Sequence, residues 1–382
     1  MIIDQMTDLI GNTPLLKIPR HVTGLNNIEL YAKLEMMNPF GSVKDRTAWA
    51  MIKDDIPSIQ KSGQTIYENS SGNTAKSLQA IASIYGLKFR LVSALTKVQE
   101  QKDVLYAMGA EVEEIATASD CFDPSDPNDP QYMIERKMAA DPDNIYFPSQ
   151  FTNMKNPQFH EQTTAQEILD DAGAVDYFFG GLGTTGSSLG ISMRLKRENP
   201  CLKSIGITAQ TGHFIPGIRN MSQMMESTMF QRDYYDRIVS LTEGQALEGM
   251  MILMRQCAVL CGPSSGANFY AALEFLKEED MKVDTPRKAV FIVCDRMEWY
   301  ISYIRERMPE LFGQRRHQSP LHDFDSTVIS IVPHVEAGSL DQWRKQNAGC
   351  LIIDTRASQS FDLFHIPGSI NMPQELFEKW IV

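Results

Sequence analysis

The sequence predicts an α/β protein built on doubly wound parallel sheets. Short apolar, β-branched runs alternate with longer amphipathic runs from residue 28 to residue 308, as a parallel sheet covered by helices on both faces requires. Small-residue turns stand where a strand should hand over to a helix, at 70–74, 183–187 and 262–266. A polar stretch at 313–326 separates a shorter final segment.

Strands are expected at 28–34, 65–68, 89–94, 111–115, 145–147, 175–179, 203–209 and 288–294, where alternating or continuous apolar residues occur in strand-length runs. Helices are expected at 42–54, 75–85, 99–108, 161–172, 189–197, 247–259, 263–277 and 300–308. Residues 116–131 carry Pro124, Pro127, Pro130 and several aspartates, and read as an exposed loop insertion.

The chain has 382 residues, 43% of them hydrophobic, enough for two or three domains with ample core. A net charge of −12 argues against a nucleic-acid surface. No apolar run is long enough to span a bilayer. The first nine residues hold two aspartates and no basic residue, unlike a secretory signal. Six cysteines lack zinc-site spacing, so free thiols and a cytoplasmic location are expected, with no metal.

Candidate chemistry starts at Asn38-Pro39-Phe40-Gly41-Ser42-Val43-Lys44-Asp45-Arg46. Pro-Phe-Gly interrupts regular structure, Ser42 suits a helix cap and Asp45 its first turn. A lysine at that helix start feels a positive dipole end, which favours the neutral amine that a Schiff-base lysine needs; a solvated turn lysine would look the same. Gly183-Thr184-Thr185-Gly186-Ser187 stands between an apolar strand and a helix, without the glycine spacing of a dinucleotide fold or the Lys-Ser/Thr ending of a triphosphate loop. That suits a phosphate monoester or a plain tight turn. Ser70-Ser71-Gly72-Asn73-Thr74 reads equally as a carboxylate site and as an N-cap box, and Ser264 also reads as a cap.

These pieces occur in one chain in this order. Together with Gly11-Asn12-Thr13-Pro14-Leu15, Lys33-Leu34-Glu35, Met108-Gly109-Ala110-Glu111 and His160-Glu161-Gln162-Thr163-Thr164, the sequence resembles the fold-type-II pyridoxal phosphate enzymes of the cysteine synthase and cystathionine β-synthase family. The resemblance implies two doubly wound domains of the tryptophan synthase β-like class over residues 1–312, with a small mobile subdomain at 45–155. It implies Lys44 as the Schiff-base lysine and Asn73 on the cofactor's ring oxygen. Gly183, Thr184, Thr185, Gly186 and Ser187 would hold the phosphate, and Ser264 would face the pyridine nitrogen. Ser70, Ser71, Asn73, Thr74 and Gln150 would bind the substrate carboxylate. The expected cofactor is pyridoxal 5'-phosphate, the expected assembly a homodimer, and the expected partners an amino-acid substrate and a sulfur nucleophile.

A serine opposite the ring nitrogen leaves that nitrogen largely unprotonated, which weakens the electron sink and favours loss of a β-leaving group. The implied reaction is β-replacement on O-acetylserine or O-phosphoserine through an aminoacrylate, giving L-cysteine. Ile215-Pro216-Gly217-Ile218-Arg219-Asn220-Met221 and Cys294-Asp295-Arg296 resemble the cysteine synthase B branch. There an arginine at the Arg219 position lies by the active site, and in some relatives it selects O-phosphoserine, which a guanidinium fork suits; a surface ion pair is the other reading. The chain departs from the family pattern at Cys257-Ala258, Pro263, Thr185 and Ala94-Leu95. Amine nucleophiles with a diaminopropionate-type product, serine/threonine dehydration, and a catalytically silent partner-binding role are the alternatives.

The final segment, 327–382, resembles the first half of a rhodanese domain: Leu351-Ile352-Ile353-Asp354-Thr355-Arg356, then His365-Ile366-Pro367-Gly368-Ser369-Ile370-Asn371. No cysteine follows Cys350 to carry sulfur.

Overall fold

The computed structural model describes residues 2–70, 72–94, 98–115, 129–225, 228–313, 335, 339–347, 349–356, 361 and 365–372. Described residues up to Arg307 form one compact unit, and those from Met308 on belong to a second.

The first unit contains two sheets. The larger has the strand order β1-β2-β10-β7-β8-β9, with β1 Leu15–Lys17, β2 Ile28–Leu34, β7 Tyr177–Gly181, β8 Lys203–Ala209, β9 Arg237–Leu241 and β10 Arg287–Val293. Only β1 runs antiparallel. The smaller has the order β5-β4-β3-β6, all parallel, with β3 Thr65–Asn69, β4 Lys88–Ala94, β5 Glu111–Ile115 and β6 Ile145–Tyr146. Strands buried on both faces are apolar at consecutive positions, as parallel sheets require: Tyr177, Phe178 and Phe179 are all buried. The register puts Val293 level with Leu34, so β2 and β10 end at the same edge, where functional loops of an open parallel sheet lie.

Local signals set the helices. The Glu243–Cys257 helix opens with a capping box, in which Thr242 and Gln245 each bond the other's backbone N–H. The Asn73–Tyr85 helix ends at Gly86 with φ 66°, the left-handed C-terminal geometry that glycine accepts freely. The Glu243–Cys257 and Pro263–Asp280 helices approach closely through glycines: a Cβ on Gly249 would stand 2.2 Å from the Gly266 carbonyl oxygen.

A buried ionic cluster joins the front of the chain to the helix that starts at Lys44. Arg46 is fully buried and donates to both oxygens of buried Glu35, at 2.7 and 2.9 Å. It also donates to both oxygens of Glu167, each at 2.6 Å. Lys33 Nζ pairs with Glu167 at 2.8 Å and donates to the Thr13 carbonyl at 2.6 Å. The Thr13 hydroxyl donates to Glu35, Asn38 Nδ2 donates to Glu35, and the Asn12 N–H reaches Glu167. Gly11 has φ 98° and runs so close that a Cβ there would lie 3.0 Å from Arg46 Nη1. The Gly11–Leu15 and Lys33–Glu35 stretches are therefore the shell of one arginine.

Four expectations need correction. The expected loop 116–131 ends before Pro130: Pro130–Ala140 is a helix, and the Asp129 carboxylate accepts from the N–H groups of Gln131 and Tyr132. Aspartate followed by proline is a helix-start signal, and the remaining proline-rich run lies outside the described residues. The helix expected at 161–172 begins at Lys155 and widens into a π-helical turn over His160–Thr164. The short strand β9 was not expected at all. Ser42 is not the helix cap, because Val43 occupies that position, although the Ser42 hydroxyl still accepts from the Lys44 N–H at 3.2 Å. Of the linker expected at 313–326, only Gly313, which closes a short 3-10 turn, lies within the described residues.

The second unit contains a Leu340–Gln346 helix and two short parallel strands, β11 Ile353–Asp354 and β12 Ile370–Asn371. The Asp354 carboxylate binds the Arg356 guanidinium at 2.6 Å, and Asn371 Nδ2 donates to the Asp354 and Arg356 carbonyls.

The ionic cluster generates a pH-dependent prediction. Burial alone would raise the Glu167 pKa, but its bonds to Arg46 and Lys33 hold it down to about 2. A carboxyl depressed on folding stabilises the fold above its ordinary pKa of 4.5 and loses that contribution as pH falls toward 2. Glu167→Gln should lower the unfolding free energy at pH 7 by about 3 kcal/mol, because it leaves Arg46 and Lys33 short of counter-charge. Denaturant melts should show the gap to wild type closing between pH 4.5 and 2; a gap independent of pH would refute the ionic account.

Candidate active site

The site is assembled on the three residues that follow β10. The Cys294 carbonyl accepts from the Val43 N–H at 2.8 Å, and Ser42 bridges Asp295, so the peptide carrying Lys44 is stitched to this turn. On its other side the Asp295 carbonyl accepts from the Gly262 N–H at 3.0 Å, and Cys261 bridges Arg296, which brings in the turn that carries Ser264. The Asp295 side chain then takes Asn73, whose Nδ2 donates to Oδ2 at 2.5 Å. Lys44, Ser264 and Asn73 come from three distant parts of the chain and meet on one short peptide.

Lys44 opens the Lys44–Ile52 helix and retains part of its surface. Its amine is nonetheless desolvated, which pulls its pKa below the usual lysine value against the opposing pull of Cys294 and Asp295. Buried His160, beneath the same helix, is held neutral by burial and by the charges of Arg46 and Lys44. Its ring nitrogens face the hydroxyls of Thr164 at 2.9 Å and Thr47 at 3.3 Å. The Ser264 hydroxyl does not cap its helix, where Gly262 is the N-cap; it hydrogen-bonds the Cys294 thiol, whose pKa burial and Asp295 push up to about 12.

The 183–187 turn links β7 to the Gly186–Glu198 helix and offers that helix's first N–H groups. Space in it is tight: a Cβ on Gly183 would stand 2.4 Å from the Gly217 carbonyl oxygen, and one on Gly186 2.1 Å from Asn156 Oδ1. Thr185 adopts φ 68°, a strained conformation for a β-branched residue. Its hydroxyl is buried and has no hydrogen-bond partner among the described residues.

Hydrogen bonds run from this turn to the loop at 70–74. Asn156 Nδ2 donates to Thr184 Oγ1 at 3.3 Å and to the Gln150 carbonyl at 3.1 Å. The Thr74 hydroxyl donates to Gln150 Oε1, and Gln150 Nε2 donates to the Asn69 carbonyl, both at 2.6 Å. The Ser70 hydroxyl accepts from the N–H groups of Gly72 and Ala75. The Arg219 guanidinium stacks on the Phe151 ring, 4.3 Å from its centroid, next to Gln150. Ser71 lies outside the described residues. Sequence reading did not single out Asn156, Tyr300 or Lys76, because the groups that give them a role lie far away in the chain.

The fold and site define a class: an open α/β protein with a desolvated lysine at one helix start and a tight small-residue turn at another. The chain belongs to the pyridoxal-phosphate dependent enzyme family, whose pattern it matches over residues 6–295. It is 33% identical to cysteine synthase B of Pseudomonas aeruginosa over 299 residues, 78% of this chain and 95% of that protein. It is 32% identical to a Staphylococcus aureus cysteine synthase over 287 residues, 72% of this chain and 89% of that one. The O-acetylserine dependent cystathionine β-synthase of Helicobacter pylori superposes with a TM-score of 0.68 at 28% identity, covering 79% of this chain and 98% of that chain. The protein is a cysteine synthase-like, pyridoxal phosphate-dependent enzyme.

The residues present fit the cofactor. Among the described residues, Thr185 Oγ1 and Asn73 Oδ1 are buried polar atoms without hydrogen-bond partners, one in the 183–187 turn and one beside the Cys294–Arg296 turn. Buried polar atoms are rarely left unpaired, and ligand sites are among the places where they are. Among the described residues no cluster of His, Cys, Asp or Glu could hold a metal, and no helix is long and apolar enough to cross a membrane.

Gly183→Ala should weaken pyridoxal phosphate binding about tenfold or more, because the new methyl must displace the Gly217 peptide. Titration of the apoprotein followed by absorbance measures this. Unchanged affinity would show that the 183–187 turn does not hold the phosphate.

Proposed function

We propose that this enzyme catalyses β-replacement on an activated L-serine, adding sulfide or another sulfur nucleophile to make L-cysteine. The observation that carries this reading is the desolvated Lys44 amine, tied with Ser264 and Asn73 to the Cys294–Arg296 peptide. Lys44, Asn73, Gly183, Thr184, Thr185, Gly186, Ser187 and Ser264 would hold the cofactor. When bound, pyridoxal phosphate supplies the ring that acidifies the substrate's α-carbon.

The chain's own residues do the rest. Lys44 Nζ, with its lowered proton affinity, takes the α-proton and returns one when the product is complete. Ser264 presents a neutral hydroxyl rather than an acid to the ring nitrogen, which supports elimination over a persistent carbanion. Ser70, Ser71, Asn73, Thr74 and Gln150 would orient the substrate carboxylate. Water-mediated trapping would make the same site a dehydratase, and an amine nucleophile a diaminopropionate-type synthase. A homodimer, a cytoplasmic location and a small subdomain at 45–155 that closes on substrate belong to the same reading, as does the rhodanese-like character of residues 327–382, which the β11–β12 pair and the Asp354–Arg356 ion pair support.

Arg219 supports O-phosphoserine as donor. The Gly217 carbonyl of its loop abuts Gly183, and its guanidinium lies over Phe151 beside Gln150, where a fork of N–H donors would meet a leaving phosphate.

Purified protein with pyridoxal phosphate should show a Schiff-base absorption band that Lys44→Ala abolishes; a colourless wild type sinks the enzymatic reading. Arg219→Ala should raise KM for O-phosphoserine about 10- to 100-fold, the value of a charge-assisted hydrogen bond, and leave O-acetylserine within a few-fold. Equal loss for both donors would refute the selection role.

A further inference from the structure

A run of buried polar groups lies under the 183–187 turn, and the chemistry above leaves most of it without a role. Asn156, Thr47, His160 and Thr164 are all closed off from water. The Asn156 amide lies directly against the turn, where only glycine fits at 186: a Cβ there would stand 2.1 Å from Oδ1 and 2.4 Å from Nδ2. Nδ2 donates to the Gln150 carbonyl at 3.1 Å and to Thr184 Oγ1 at 3.3 Å. Oδ1 accepts at 3.0 Å from the hydroxyl of Thr47, on the helix that Lys44 opens.

The chemistry of the partners fixes the direction of each bond. A carbonyl only accepts, so the amide turns Nδ2 toward Gln150 and Oδ1 toward Thr47. The single Thr47 proton is spent on Oδ1. His160 Nε2, 3.3 Å from Thr47 Oγ1, therefore donates to that oxygen. Since His160 is neutral, its Nδ1 accepts from the Thr164 hydroxyl at 2.9 Å. At the other end, Thr184 Oγ1 accepts twice, from Asn156 Nδ2 and from the Gly186 N–H, each at 3.3 Å. A hydroxyl has two acceptor sites and one proton. Both acceptor sites of Thr184 are filled, and its proton has no acceptor among the described residues.

We propose that Asn156 is a positioning residue: held by Thr47 and His160, it fills an acceptor site of Thr184 and so commits the Thr184 hydroxyl to donate to the cofactor's phosphate. The inference rests on the reading of the 183–187 turn as the phosphate site. Hydrogen bonds that run one way along a chain polarise one another. A donor oriented in advance also need not be ordered when the anion arrives.

The test titrates the apoprotein with pyridoxal phosphate and, separately, with pyridoxal, which carries the same ring and aldehyde without the phosphate. Schiff-base absorbance reports both. Thr184→Val keeps the side chain's shape and should weaken pyridoxal phosphate about tenfold, the value of a hydrogen bond to a charged group. Asn156→Ala should weaken it about three- to tenfold and leave pyridoxal within about twofold. Adding Asn156→Ala to Thr184→Val should cost nothing further. Equal loss for pyridoxal would make Asn156 a support of the fold alone, and an undiminished loss in the Thr184→Val background would show that it does not act through that hydroxyl; either overturns the proposal. Should Asn156→Ala fail to fold, Thr47→Val takes its place: a phosphate-specific loss that Thr184→Val erases is expected, and unchanged affinity overturns the proposal. Wild-type affinity in Thr184→Val also overturns it, while a loss in Gly183→Ala keeps the phosphate turn; if neither variant weakens binding, both readings fall.

Discussion

The position of Lys44 depends on a buried arginine two residues further along its helix. Arg46 is closed off from water and clamped by Glu35 at the end of β2 and by Glu167 at the start of the next layer of helix. Such a cluster gives little net stability relative to a well-packed apolar core, because two or more charges must be stripped of water to form it. What it does provide is direction. A guanidinium with five donors in one plane admits few arrangements of two carboxylates around it, so the first turn of the Lys44–Ile52 helix is fixed in rotation and height against the sheet. A hydrophobic contact would tolerate sliding and an amine placed by it would wander.

The second constraint is the end of β10. A parallel strand in the middle of a sheet brings its C-terminal peptide between the loops of its neighbours, and here that peptide binds the lysine segment by one edge and the serine turn by the other. Asp295 extends the arrangement with its side chain to Asn73, which belongs to the smaller sheet's layer. The groups that would surround a cofactor ring are therefore positioned largely by backbone pairing, a stiff device, while Thr74, Gln150 and Asn156 are joined by hydrogen bonds of their side chains.

Strong periodicity made much of the fold legible. Strands β2 and β8 occupy the residues expected of them, because each is a largely apolar run of strand length, and β5, although it carries three glutamates, does so because Gly109-Ala110 ends the helix before it. Strand β9 was invisible: Arg237-Ile238-Val239-Ser240-Leu241 is half exposed at a sheet edge and carries too weak a pattern. The Pro130–Ala140 helix was lost behind the proline-rich run before it. At the site, the recognisable stretches named residues without naming jobs. Gly11-Asn12-Thr13 looked like a motif, and only contact with Arg46 and Glu167 shows that it lines an ionic cluster. The low legibility of Lys76 has the same origin, since a lysine in an amphipathic helix reads as surface until an indole from residue 299 is found over it.

The sequence by itself determined the class of architecture, the lysine, and the three small-residue turns, because these depend on local periodicity and on backbone freedom that neighbouring residues specify. Tertiary structure alone decided that the lysine amine is desolvated, that Ser264 meets a thiol instead of capping its helix, that Thr185 is held with positive φ, and that Asn73 is bound through one end of its amide. Each of these is a property of groups separated by tens or hundreds of positions, and proton affinity, strain and hydrogen-bond polarity are set by whatever the fold brings within a few ångströms.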